Sequence, residues 1–154
     1  MTFDNKRFLL AVALCAALGT SPAWADKPPT PTTLAGGKLI SASEAKQLVA
    51  GKSAQFFDTR SPVNFGKGHV PGASTAAYKE KSEPVANFDA GKDEFDLSKL
   101  PADKAAPIVF YSDGPTGWKS YKAAVLAVKA GHRNVMYMRG GFAEWESAGN
   151  AVQR

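Results

Sequence analysis

Three short apolar runs constrain the fold of this chain most strongly. They are AQFFDT at 54–59, PIVFY at 107–111 and NVMYM at 134–138, and each is bounded by polar or turn-forming residues. Runs of this length are typical of buried strands. Helix patterns occupy 41–50, before the first run, and 118–130, between the second and third. Strands that alternate with helices predict a parallel sheet with helices on both faces.

The remaining segments are less strongly patterned. The first helix has Ser41 or Ser43 as its candidate N-cap, and Gly51 ends it. Residues 74–78 predict a short strand and 141–148 a short helix. The charged stretch from Lys79 to Ala106 has little periodicity and is predicted to be mostly surface loop.

The first 25 residues have the pattern of a secretory signal peptide. Lys6 and Arg7 precede an apolar run over 8–18, and Ala23-Trp24-Ala25 places small residues at the −3 and −1 positions of a cleavage site. The alternative is an uncleaved anchor, but the run is about half the ~20 residues that a membrane span needs. We therefore expect cleavage before Asp26, a periplasmic or secreted protein, and no stable membrane span after cleavage.

The single cysteine of the chain, Cys15, lies inside this apolar run. One cysteine excludes an intramolecular disulfide and a cysteine-rich metal site. Lipoprotein processing is a further alternative, although Leu14 stands where such signals usually carry a small residue. In every case the folded domain has no thiol of its own.

The mature chain is predicted to be one domain after a spacer. Residues 26–37, DKPPTPTTLAGG, are rich in proline and glycine and predict an extended, solvated linker. The domain then covers 38–154. The formal net charge of +5 is spread along the chain, so no nucleic-acid partner is expected.

Four segments in this order and spacing resemble the rhodanese family. They are FFDTRSPVNF, GHVPGA, VFYSDGPTGWKSYKAA and NVMYMRGGFAEWESAG, and together they extend over about 40–149. The resemblance implies a three-layer α/β/α domain with a five-stranded, mainly parallel sheet. It also assigns structural motif positions to Asp58, Arg60, His69 and Arg139.

The resemblance fails at the residue that matters most for activity. Active members carry a cysteine directly after the central strand, where loop N–H groups and a helix N-terminus favour the thiolate that carries sulfur. The loop here resembles a subgroup pattern, Tyr-Cys-x-Gly-Pro-x-Cys-Trp-x-Ser, but Ser112 and Gly117 stand at the two cysteine positions. Serine cannot form a persulfide, so we expect no sulfurtransferase activity from this chain alone. A serine nucleophile would need an adjacent base, and His69 and His132 both lie outside the loop.

The favoured hypothesis is a binding or accessory module, a pseudoenzyme of sulfur metabolism, for a small anion or a periplasmic protein partner. The candidate ligand loop comprises Ser112, Asp113, Gly114, Pro115, Thr116, Gly117, Trp118 and Lys119. The alternatives are a non-thiol enzyme, a sulfur relay that uses a partner's thiol, and a purely structural domain with a vestigial loop. We expect no cofactor, because no His/Asp/Glu cluster has metal-ligand spacing.

Individual loop residues have simple structural interpretations as well. Asp113 is expected to hydrogen-bond local backbone, as aspartates in turns usually do. Lys119 either contacts an anion or points into water, and Trp118 either stacks on a ligand or packs over the loop. His69 is expected to be structural, because its turn accounts for it without chemistry.

Overall fold

The computed structural model describes residues 27–154, so the proposed leader and Cys15 lie outside the described residues. Strands and α-helices alternate through this part of the chain. In order they are β1 (Gly37–Ile40), α1 (Ala42–Ala50), β2 (Gln55–Asp58), α2 (Pro62–Lys67), β3 (Ser74–Thr75), β4 (Ile108–Tyr111), α3 (Trp118–Lys129), β5 (Val135–Met138) and α4 (Gly141–Ser147). Within 27–154, no helix combines the length and hydropathy needed to cross a membrane.

The five strands form one parallel sheet in the order β1-β5-β4-β2-β3, which confirms the predicted α/β class. β4 lies at the centre, hydrogen-bonded to β5 on one side and β2 on the other. The segment that follows Tyr111 therefore leaves the sheet from its middle. This topology places the loop 112–117 between β4 and the N-terminus of α3.

Alternate residues of the central strands pack into two hydrophobic cores. On one face, Phe57, Phe110 and Tyr137 pack against α3. On the other face, Phe56, Val109 and other strand residues pack with residues of α1 and α4, including Trp145. The alternation follows from the period of two in a strand. Because helices cover both faces, every residue of β4 is buried.

Two elements were missed by the sequence patterns. β1 is only four residues long and reads GKLI, without a continuous apolar run. α2 has only six residues and contains Gly66, so it carries no periodic helix pattern. The structure explains α2 by its start: the Ser61 hydroxyl accepts a hydrogen bond from the Asn64 N–H, and proline is well tolerated in the first helical turn.

The prediction that the linker is a solvated spacer is wrong. Residues 27–34, here called the N-terminal strap, lie against the domain, and Thr30 and Leu34 are buried. The Thr30 hydroxyl is 2.6 Å from the Tyr137 hydroxyl, and Leu34 belongs to the α3-side core. The proline and glycine residues predicted an extended backbone. They did not indicate that this backbone would pack against the domain. The last linker residue, Gly37, begins β1.

The stretch 79–106, predicted as surface loop, is organised around one carboxylate. Asp93 accepts hydrogen bonds from the Tyr78 hydroxyl, the Ser82 hydroxyl and the backbone N–H groups of Lys81 and Ser82, each at 2.7 Å. Burial opposes ionisation, but the hydrogen bonds from Ser82 and Tyr78 outweigh it and lower the pKa of Asp93 to about 2. The ionised carboxylate therefore stabilises this part of the fold.

We expect Asp93→Asn to lower the free energy of unfolding at neutral pH, with the deficit disappearing in acid. Because the folded-state pKa lies below the ordinary 3.8, the stabilisation is present above that value and is lost as the pH falls toward 2. Urea unfolding of both proteins at a series of pH values measures the difference. A deficit that stays constant through this acidic range would contradict the assignment.

Candidate functional site

Ser112 lies at the centre of the candidate site, directly after β4. Ser112 is 1% exposed, and its hydroxyl has no hydrogen-bond partner among the described residues. Its backbone carbonyl accepts a hydrogen bond of 2.8 Å from the N–H of Phe142 in α4. A buried polar atom without a partner is unusual, because desolvating it is costly. The Ser112 hydroxyl is therefore a buried hydrogen-bonding group that the described residues leave unused.

A cavity of about 280 Å³ lies beside Ser112, next to the first turn of α3. Its wall combines the candidate loop with residues from two other segments of the chain. The lining residues are Lys27, Glu80, Ser112, Asp113, Thr116, Gly117, Trp118 and Lys119. The structure thus brings six of the eight predicted loop residues to one cavity, whereas Gly114 and Pro115 lie outside its lining.

The loop is closed tightly upon itself. The Gly117 N–H donates to the Gly114 carbonyl at 2.8 Å, and the Trp118 N–H donates to the Thr116 carbonyl at 3.1 Å. A β-carbon at position 117 would lie 2.8 Å from the Ser112 β-carbon and 2.9 Å from the Gly114 oxygen. In this conformation position 117 has no room for a side chain.

Trp118 packs over the loop and does not stack in the cavity. It is buried, its indole N–H donates to the Pro28 carbonyl at 2.8 Å, and its ring meets Tyr121 edge-on at 5.6 Å. Of the two predicted roles, the structure therefore favours packing. The contact also ties the N-terminal strap to the start of α3.

Positive and negative groups both face the cavity. Lys119 is half-buried at its edge and forms no ion pair within 27–154. The N-terminus of α3 adds partial positive charge, since its first N–H groups have no helical acceptors. Asp113 is exposed, and its carboxylate makes no hydrogen bond among the described residues, so the expected hydrogen bond to local backbone is not formed. Its backbone carbonyl instead accepts from the Ala143 N–H at 2.9 Å.

Asp58 and Arg60 form a buried ion pair that supports the loop from behind. They are 0% and 5% exposed, and an Arg60 terminal nitrogen lies 2.6 Å from an Asp58 oxygen. Arg60 also donates to the Gly68 carbonyl at 2.7 Å and lies 4.2 Å from the Phe142 ring. Burial lowers the pKa of Arg60, but the hydrogen bonds that Arg60 donates to the Asp58 carboxylate and the charge of that carboxylate outweigh burial, so the net pKa is raised. The Phe142 N–H donates a hydrogen bond to the Ser112 carbonyl. The Asp58–Arg60 pair therefore helps to position Ser112 through the contact between Arg60 and the Phe142 ring.

The two histidines are engaged away from Ser112. His69 stacks on Phe65 at 3.8 Å, and its Nδ1 lies 2.9 Å from the Phe65 carbonyl oxygen. His132 accepts from the Lys104 ammonium at 3.1 Å, and burial lowers the pKa of His132. Neither imidazole hydrogen-bonds the Ser112 hydroxyl in the described part of the chain.

The Arg139-Gly140-Gly141 turn brings α4 against the candidate loop. Gly141 has a φ of +62°, and a β-carbon there would lie 2.6 Å from the Ser112 carbonyl and 2.7 Å from the Gly114 nitrogen. Only glycine fits this approach. Arg139 donates to the Thr30 carbonyl at 3.1 Å and so holds the N-terminal strap on the opposite side.

Sequence reasoning missed two residues of the cavity, Lys27 and Glu80. Lys27 lies in the segment predicted as linker, and Glu80 lies in the stretch predicted as surface loop. Each is charged and each is an ordinary surface residue by composition. No sequence pattern connected them with the loop 112–119, because only the folded chain brings the three segments together.

The fold and the site define an α/β domain with a loop and a helix N-terminus after the central strand of a parallel sheet. The rhodanese-like domain family matches residues 41–148, which is more than half of the chain. The chain therefore belongs to the rhodanese-like domain family, as the sequence resemblance implied.

Individual relatives agree with this assignment. The chain is 31% identical over 111 residues to the thiosulfate sulfurtransferase GlpE of Pseudoalteromonas translucida, covering 72% of this chain and 90% of that protein. Human single-domain sulfurtransferase TSTD1 is similar in structure, with a TM-score of 0.51, 25% identity, and coverage of 71% and 95%. The Alr3790 protein of Anabaena shares the fold at a TM-score of 0.55 and 19% identity, with coverage of 74% and 81%.

Proposed function

We propose that this protein is an exported rhodanese-like binding protein that holds a small sulfur oxyanion at the loop 112–119. It has no sulfurtransferase activity of its own and acts as an accessory module in sulfur metabolism. One observation carries the proposal: the Ser112 hydroxyl is buried and unpartnered, and Ser112 lines the cavity at the start of α3. A bound anion would accept the hydrogen bond that the protein leaves unmade.

The electrostatics of the loop support an anionic ligand. The N-terminus of a helix favours negative charge, and α3 is twelve residues long. Lys119, within the first turn of α3, adds a full positive charge at the cavity wall. Asp113 opposes an anion, but it is exposed to water, which screens its charge.

The chemistry of the site argues against sulfur transfer by this chain. Sulfur transfer through a covalent persulfide needs a thiolate nucleophile, and the position after β4 holds a hydroxyl. The only cysteine, Cys15, belongs to the proposed leader. After export to the periplasm or the exterior of the cell and cleavage before Asp26, the domain would therefore contain no thiol.

Calorimetric titration tests the binding. We expect the wild-type protein to bind at least one of thiosulfate, sulfite, sulfate and phosphate in a saturable way. Ser112→Ala is expected to weaken that binding about tenfold, because one hydrogen bond to a charged ligand is lost. Ser147→Ala, a change to an exposed serine on α4, is the matched control and should bind as wild type does.

The absence of heat with all four anions would contradict the proposed function. Equal binding by wild type and Ser112→Ala would place the anion elsewhere and contradict it as well.

A further inference from the structure

A second cavity lies at the amino ends of β2 and β3, at the opposite end of the sheet from Ser112. Its volume is about 400 Å³, which is within the range of small-molecule binding sites. It shares no lining residue with the cavity beside Ser112. The residues that line it, which we call the Lys52 pocket, are Val49, Lys52, Ala54, Gln55, Phe56, Pro71, Gly72 and Ser74.

The Lys52 pocket combines apolar surface with one positive charge. Val49 and Phe56 supply aliphatic and aromatic surface. Lys52 is the only charged residue of the lining, and it belongs to none of the ion pairs formed within residues 27–154. Apolar surface beside an ammonium group without a carboxylate partner suits a ligand that has an apolar body and a negative charge.

The backbone of Lys52 has a conformation in which glycine is normally found. α1 ends in a Schellman motif, in which the Lys52 N–H donates to the Val49 carbonyl at 3.2 Å and the Ser53 N–H donates to the Leu48 carbonyl at 3.0 Å. The residue after the C-cap of this motif is left-handed and is usually glycine, because a β-carbon disfavours that conformation. Lys52 occupies this position with a φ of +50°, the only positive φ of a non-glycine residue within 27–154.

This unfavourable backbone position points to a role for the Lys52 side chain. Residues in sparsely populated backbone regions cluster at ligand sites, where the strain accompanies a function. A lysine near the C-terminus of a helix also interacts favourably with the helix dipole, but a neighbouring position would give the same interaction without a left-handed backbone. Of residues 50–53, Lys52 alone lines the pocket.

We propose that the Lys52 pocket binds a small organic acid, with the apolar body against Val49 and Phe56 and the carboxylate at the Lys52 ammonium group. The position that favours glycine carries a lysine because the ligand needs its charge. This inference is independent of the proposed function, since the two cavities have different linings at opposite ends of the sheet.

Amide chemical shifts of the isotope-labelled protein measure binding at the Lys52 pocket. Phenylacetate is the probe, acetate lacks its apolar body, and phenylacetamide lacks its charge. We expect phenylacetate to shift the amides of 49–56 and 71–74 in a saturable way. It should bind at least about threefold more tightly than either partial analogue, because each of them lacks one of the two interactions.

Four variants separate the charge of Lys52 from the strain of its backbone. Lys52→Gln should weaken phenylacetate binding about threefold without raising the midpoint temperature of unfolding, because the charge is lost and the strain remains. Lys52→Gly should weaken binding to a similar degree and raise that midpoint by about 2–4 °C, because glycine relieves the strain. Lys52→Arg should bind as wild type does. Lys46→Gln removes an exposed charge of α1 outside the pocket lining and is the matched control, which should have no effect.

Three results would overturn the inference. They are the absence of saturable shifts at these amides with phenylacetate, equal binding of phenylacetate by wild type and Lys52→Gln, and an equal loss of affinity in Lys46→Gln, which would indicate an effect of net charge alone. None of them bears on the proposed function, which is tested by oxyanion titration of Ser112→Ala.

Discussion

Changing Ser112 to Cys is expected to give this protein a thiosulfate-to-cyanide sulfurtransferase activity that we expect the wild-type chain to lack. Ser112 already lines the cavity, after the central strand and beside the N-terminus of α3. A thiol in the same place would have its thiolate stabilised by that environment and would supply the missing nucleophile. The gain should be at least about a hundredfold above background, since the loss of an essential nucleophile costs enzymes more than this.

The assay needs a background without other thiols. Cys15→Ser removes the only natural cysteine, whether or not the leader is cleaved. Ser147→Cys places a thiol on the exposed side of α4 and is the matched control, which should remain inactive. If Ser112→Cys still binds thiosulfate but transfers no sulfur, the loop lacks more than its nucleophile and the account of the site is wrong.

Gly117, at the second cysteine position of the resembled pattern, has no room for a cysteine side chain in this conformation. A β-carbon at Gly117 would meet Ser112 and the Gly114 carbonyl at less than 3 Å, so Gly117→Cys requires the loop to open. Restoring only Ser112 is therefore the sharper experiment, and adding a cysteine at Gly117 should not increase the activity of Ser112→Cys.

Asp58→Ala is expected to cost about 3–5 kcal/mol in the free energy of unfolding. Removing the carboxylate leaves the Arg60 guanidinium buried and unpaired, beneath a backbone carbonyl and an aromatic ring. Because Arg60 also contacts Phe142, which bonds the Ser112 carbonyl, the variant should lose anion affinity at temperatures where it is still folded. Urea unfolding measures the first effect and calorimetric titration the second.

An exposed ion pair of the same fold provides the comparison. Lys38 and Glu44 lie 3.1 Å apart at the surface, and Lys38→Ala should cost less than about 1 kcal/mol. A similar small cost for Asp58→Ala would mean that water reaches Arg60 and that the pair does not support the loop.

The fold was largely predictable because its strongest elements bury continuous apolar runs. β2, β4 and β5 lie inside the predicted runs, and α3 begins at the predicted Trp118. α1 begins after Ser41, which was one of its two candidate N-caps. The Ser41 side chain and Glu44 form a capping box. β1 and α2 were not predicted, because their stability comes from packing and capping at particular positions rather than from a periodic pattern.

The site was predictable only where it is local in sequence. The resemblance located Ser112 and the loop to Lys119, because these residues are consecutive. Lys27 and Glu80 reach the same cavity from segments 85 and 32 residues away from Ser112, and their charges carry no pattern. Long-range contacts of this kind follow from the topology, which a pattern of residue types does not specify.

Amide chemical shifts of the isotope-labelled protein during titration with thiosulfate test the central claim most directly. The account predicts saturable shifts confined to the amides of 112–119 and to Lys27, with no sulfur transferred to cyanide by the same sample. Shifts scattered over the surface, the absence of any shift, or measurable transfer by the protein with Cys15→Ser would contradict it.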